Sequence, residues 1–212
     1  MQFKILVQMC FAVAIISVTA CGGSSPKATP ISAATATTNP STAGPLTYPD
    51  STRVNIGVVD AAIAAAVGGN ADALLKVIQF QTVPCATNPT GAVPIPPKCT
   101  PAEAPGTPVQ RVLIYYGGHE SDGRAQGAVP PLLETLQNWL GPSRHLYAVK
   151  QLTRPDPLTG AKYAVVFVTS TGQANTLGLS DSGIVWIYFD TSQDPRKQAD
   201  DPPGQFVLPP LK

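Results

Sequence analysis

The sequence predicts an α+β domain behind a long non-globular leader. Three observations carry this: apolar residues at helical spacing early in the domain, runs of β-branched and aromatic residues late in it, and proline- and glycine-rich punctuation between them. Of 212 residues, 43% are apolar and 13% are charged, with a net charge of +1. That balance leaves no basic footprint for nucleic acid.

The single domain is assigned to residues 51–212, enough chain to bury a core. Asp60 is placed to cap a helix, "AAIAAAV", that stops at Gly68-Gly69. Asn70 caps a second helix, with Asp72 in its first turn and an apolar stripe of Leu74, Leu75, Val77 and Ile78. After a cysteine-bracketed loop, "VQRVLIYYGG" reads as one strand stopped by paired glycines. Pro130 and Pro131 open a third helix, and Leu132, Leu133, Leu136, Trp139 and Leu140 share one of its faces. Three strands follow as an antiparallel meander: "RHLYAVKQLT", "KYAVVFVTS" and "GIVWIYFD". The turn "RPDPLTGA" joins the first two, and the stretch Thr171 to Ser182 joins the last two.

Ahead of the domain, Lys4 precedes an apolar run from Ile5 to Val18. A membrane-crossing helix needs about 20 apolar residues, so this run is short for a span. A charged start, an apolar run and small residues are the pattern of a secretory signal, here residues 1–20. Residues 21–50 are dominated by Ser, Thr, Ala, Pro and Gly and are expected to form a disordered tether. Val18-Thr19-Ala20-Cys21 resembles the lipobox of bacterial lipoproteins. The resemblance implies lipid on the Cys21 thiol and cleavage before it. It places the domain in the bacterial cell envelope, extracytoplasmic, on the outer membrane of a diderm or the outer face of a monoderm cell membrane. Two or more acyl chains anchor stably where one does not.

Four cysteines are present. Cys10 leaves with the signal and Cys21 takes the lipid, so Cys85 and Cys99 are expected to pair in an oxidising compartment. The bracketed loop, "CATNPTGAVPIPPKC", has little to pack with, and a bridge would staple it to the domain. No histidine or third cysteine stands at zinc-ligand spacing, so neither a metal nor a cofactor is called for.

The element order, helix, helix, strand, helix and then three strands, resembles the NTF2-like (SnoaL-like) cone, in which a bent sheet wraps a helix. Cystatin-like helix-on-sheet domains share much of that order. The strands are apolar on both faces: Tyr163, Val165 and Phe167 alternate with Ala164, Val166 and Val168. A sheet covered on one side alternates apolar with polar. The second face therefore calls for a dimer partner, the tail "FVLPPLK" or a ligand.

Acid–base chemistry has one candidate cluster, "GGHESDGR", with His119, Glu120 and Asp122 after a strand. Arg111, inside an apolar strand, either faces solvent or grips an anionic group. His145 and Tyr147 are the remaining candidates for lining a pocket. Asp190 and Asp194 lack the alternation and glycine of a calcium loop. The expectation is a lipid-anchored, non-enzymatic domain that binds a small apolar molecule or a partner protein. The alternatives are a cone-fold isomerase, dehydratase or hydrolase using His119 or Asp122 as acid/base, and a structural homodimerisation module.

Overall fold

The computed structural model describes residues 46–89, 94–117, 119–121, 123–125, 131–140, 144–189, 194–201 and 203–212. These residues fall within one unit, Thr42–Lys212. The signal segment, Cys21 and most of the tether lie outside the described residues. Tyr48, close to the end of the expected tether, already belongs to the fold: its backbone amide bonds the Leu146 carbonyl, and its ring packs on the core.

Helix α1 spans Gly57–Val67 and α2 spans Ala71–Val77. The first helix starts earlier than its sequence suggests. Asp60 sits in its first turn and accepts from the Val54 amide at 2.8 Å, bracing the approach to the helix. Asn70 caps α2 as expected, its side chain accepting from the Ala73 amide at 2.9 Å. Alanine dominates α1, so its backbone can lie close to the sheet with Val59 and Ile63 pressed inward.

The expected strand over residues 109–118 is divided in two. Strand β1 (Gln81–Pro84) pairs antiparallel with β2 (Pro108–Arg111) as a separate ribbon, while β3 (Leu113–Tyr116) enters the main sheet. Within the polar cluster that follows this strand, His119–Ser121 form edge strand β4, paired with β3. Helix α3 covers Leu132–Leu140. Four strands follow, not three: β5 (Arg144–Leu152), β6 (Tyr163–Thr169), β7 (Ala174–Leu179) and β8 (Ile184–Phe189). A short helix α4 (Pro195–Asp200) and strand β9 (Gly204–Leu208) complete the order.

The main sheet runs β4-β3-β8-β7-β6-β5-β9, and only β3 and β8 are parallel. Register fixes its two faces. Ile114, Ile187, Leu177, Val165 and Val149 form one cross-strand row, and all belong to the core under α1, α2 and α3. Tyr115, Tyr188, Thr176, Val166 and Ala148 form a row on the other face. The α+β class and the disulfide expected from the sequence are both present, with Cys85 and Cys99 bonded at 2.05 Å.

Two buried arginines hold the stapled excursion to the domain. Arg111 donates to the Ile95 carbonyl and, at 3.2 Å, to Glu120. Arg124 donates to the Lys98 carbonyl and grips Glu103 through both terminal nitrogens. That hydrogen bonding, reinforced by the Thr100 amide, lowers the Glu103 carboxyl from 4.5 to about 2.

Candidate ligand pocket on the second face of the sheet

Among the described residues, α4 covers part of the second face. Ala199 of α4 packs with Tyr147, Ala148, Val166, Val168 and Ala174. Sequence pattern signals this helix locally: Asp194 accepts from the Arg196 and Lys197 amides, and Pro195 stands where no N–H is needed. Two polar contacts fasten it down. Lys150 donates to the Asp200 carbonyl at 2.7 Å, and the Thr176 hydroxyl donates to Gln198 at 2.6 Å. The tail does not lie across the face; β9 extends the sheet edgewise beside β5.

Beyond α4 the face opens into a pocket of about 590 Å³. Pockets for small ligands run from about 300 to 1,000 Å³ and are mostly apolar with a few fixed polar groups. The floor here is aromatic: Tyr115, Trp186 and Tyr188, with Tyr115 and Tyr188 centroids 6.3 Å apart. Gly178, the register partner of Trp186, makes the floor flat. A Cβ at that position would stand 1.9 Å from the indole, so only glycine lets the ring lie across β7. Burial raises the Tyr115 phenol above its usual range, and the charges of Glu120 and Asp156 push the same way against Arg111. It is a neutral hydroxyl at physiological pH.

One wall is the β5–β6 turn. Asp156 organises it by accepting from the Leu158 and Thr159 amides, each at 2.9 Å, and from the Thr159 hydroxyl at 3.0 Å. The Thr153 amide ties this turn to Pro203, at the far side of α4. Arg154 from the turn and Lys197 from α4 bring two cationic side chains to the rim, with Asp201 beside them. An aromatic floor between polar walls, with two cationic side chains at the rim, suits a molecule with an apolar ring and a polar substituent.

The residues singled out from the sequence stand elsewhere. Glu120 is held by Arg111 and by the Ile95 amide at 3.0 Å, which places it in a structural ion pair. His119 lies on edge strand β4, and its side chain, like Asp122, lies outside the described residues. Arg111 is buried and grips an anionic group belonging to the chain itself. His145 is part-exposed, 3.7 Å from Asp50, and Tyr147 is buried under α4. None of these described side chains lines the aromatic pocket. Among the described residues, no three of His, Cys, Asp and Glu stand together as metal ligands. No helix among them is long and apolar enough to cross a membrane.

No family model, curated protein or solved structure matches the chain.

Proposed function

We propose that this chain is a lipid-anchored, extracytoplasmic binding protein whose aromatic pocket takes a small, ring-bearing molecule. The observation that carries the reading is the Trp186 platform, cleared by Gly178 and flanked by Tyr115 and Tyr188. Stacking on such a floor rewards a flat apolar body, and Arg154 and Lys197 favour a polar or anionic substituent pointing outward. The lipobox-like Val18-Thr19-Ala20-Cys21 and the Ser/Thr/Pro/Ala tether support the anchor and the freedom to reorient beside a membrane.

Among the described residues the pocket lining holds no histidine, and its carboxylates are Asp156 and Asp201. Asp156 commits its Oδ1 to the turn, and Glu120, which stands outside the pocket, is engaged by Arg111. A binding role without chemistry accounts for both.

Native mass spectrometry of the protein released gently from membranes tests the reading. A small-molecule adduct on the wild type that is lost in Trp186→Ala supports it. Bare and equivalent spectra for the two proteins count against it. The same spectra test the anchor, which predicts an acylated chain beginning at Cys21.

A further inference from the structure

A second polar feature lies on the helix side of the sheet, away from the aromatic pocket. Arg144, the first residue of β5, is 4% exposed. It is in register with Thr169, and its guanidinium carbon stands 5.3 Å from the centroid of the Trp139 ring in α3. Its Nε and Nη1 are buried with no hydrogen-bond partner among the described residues. No carboxylate there pairs with it. The contrast with the other two buried arginines is sharp. Arg111 and Arg124 each hold a glutamate and a backbone carbonyl, and among the described residues Arg144 holds neither.

A guanidinium has donors only, and burying it without an acceptor is costly. Burial lowers the Arg144 guanidinium from its usual range to about 10, which leaves it cationic at neutral pH. It lines an open pocket of about 420 Å³, bounded by Gly68 and Gly69 at the end of α1 and by Gln137 and Leu140 of α3. Among the described residues, no acidic side chain lines this pocket. The carbonyl end of α1 faces it, but a helix end amounts to about half a charge. The carbonyls of Ala64, Ala65 and Ala66 already accept from Gly68, Asn70 and Gly69. The helix therefore does not stand in for a carboxylate.

We propose that the Arg144 pocket binds a small oxyanion, a carboxylate or phosphate group, held by the guanidinium with the Gln137 amide at its mouth. The planar fork of arginine matches two oxygens at once, which a point charge does not. Trp139 backs the cation with its ring face and keeps it oriented. The site shares no lining residue with the aromatic pocket, so either can fail without the other.

The chain has two tryptophans, so Trp186→Phe leaves Trp139 as the single indole and an internal reporter of Arg144. The test titrates the full chain in this background with sodium phosphate and, separately, sodium acetate, against sodium chloride at matched ionic strength. The expected result is a saturable change in Trp139 fluorescence and a rise in Tm with phosphate or acetate, absent with chloride. Phosphate alone would assign phosphate esters as the source, and acetate alone carboxylic acids. Arg144→Lys keeps the charge but loses the fork and should bind about tenfold more weakly. Arg144→Met removes an unpaired buried charge, so it should fold at least as stably and lose the response. A wild-type response no different from chloride, or one that survives in a folded Arg144→Met, overturns the proposal.

Discussion

The indole of Trp186 lies across Gly178 on the neighbouring strand, where a single added methyl carbon would stand 1.9 Å from the ring. This contact makes the pocket floor flat, and it couples the identity of a strand glycine to the shape of a binding surface. Gly178→Ala should therefore displace the indole. The expected outcome is a changed near-UV circular dichroism signal and a stability loss of about 1–3 kcal/mol from overpacking. A spectrum and unfolding midpoint equal to wild type would mean that the ring does not rest there.

Breaking the Arg111–Glu120 pair should be among the most damaging single changes away from the hydrophobic core. Both side chains are buried, at 5% and 8% exposure, so Glu120→Gln leaves a cation without its counter-charge. Uncompensated buried charges cost about 3–5 kcal/mol, and the Ile95 carbonyl that Arg111 keeps places this case at the lower end. Urea unfolding checks it. Adding Arg111→Met to Glu120→Gln should recover much of the loss, which sets a charge effect apart from a packing effect.

Reducing the Cys85–Cys99 bridge should weaken the fold without erasing it. The bridged residues are 14 apart, and closing such a loop is worth about 3 kcal/mol in the chain-entropy account. The main sheet forms from residues outside that loop, so far-UV circular dichroism under reductant should keep its strand signal while the urea midpoint falls. Loss of the strand signal on reduction would make the bridge a requirement for folding.

Acid should erode the excursion through Glu103. Its folded-state pKa is depressed from 4.5 to about 2, first by the Arg124 hydrogen bond and then by the Thr100 amide. A depressed carboxylate contributes stability that is fully present above its unfolded pKa and is lost as pH falls through the folded one. The window therefore runs from about 4.5 down to about 2. Thermal midpoints of wild type and Glu103→Gln should differ above that window and converge towards its lower end. A difference that is the same at both ends would place the variant's effect in packing.

Much of the framework was legible because periodicity is a local signal. Asn70 and the apolar face of Leu132, Leu136, Trp139 and Leu140 announce α2 and α3, and the β-branched runs announce β5, β6 and β8. Strand β7 was hidden because "ANTLGL" carries Asn, Gly and one Thr in place of a β-branched run, and its strand character comes from pairing on both sides. The break between β2 and β3 was hidden for a related reason. Arg111 turns into the excursion while Leu113 joins the sheet, and that choice depends on partners distant in sequence. For the site, sequence showed that the second face needed cover but pointed to His119, Glu120 and Asp122, the clustered polar residues. The pocket instead unites Tyr115, Trp186, the β5–β6 turn and α4, which only the sheet register brings together. Gly178 could have been suspected, since a glycine inside a strand often marks a close approach.

The central claim is that the Trp186 platform binds a ring. Two-dimensional NMR of the labelled protein, titrated with indole and with naphthalene-2-sulfonate, tests it most directly. The account predicts saturable shifts centred on the Trp186 indole N–H and the Gly178 amide, stronger for the sulfonate because Arg154 and Lys197 stand at the rim. Both should vanish in Gly178→Ala if that variant remains folded. Shifts scattered over the surface, or centred on the helix side of the sheet, would contradict it.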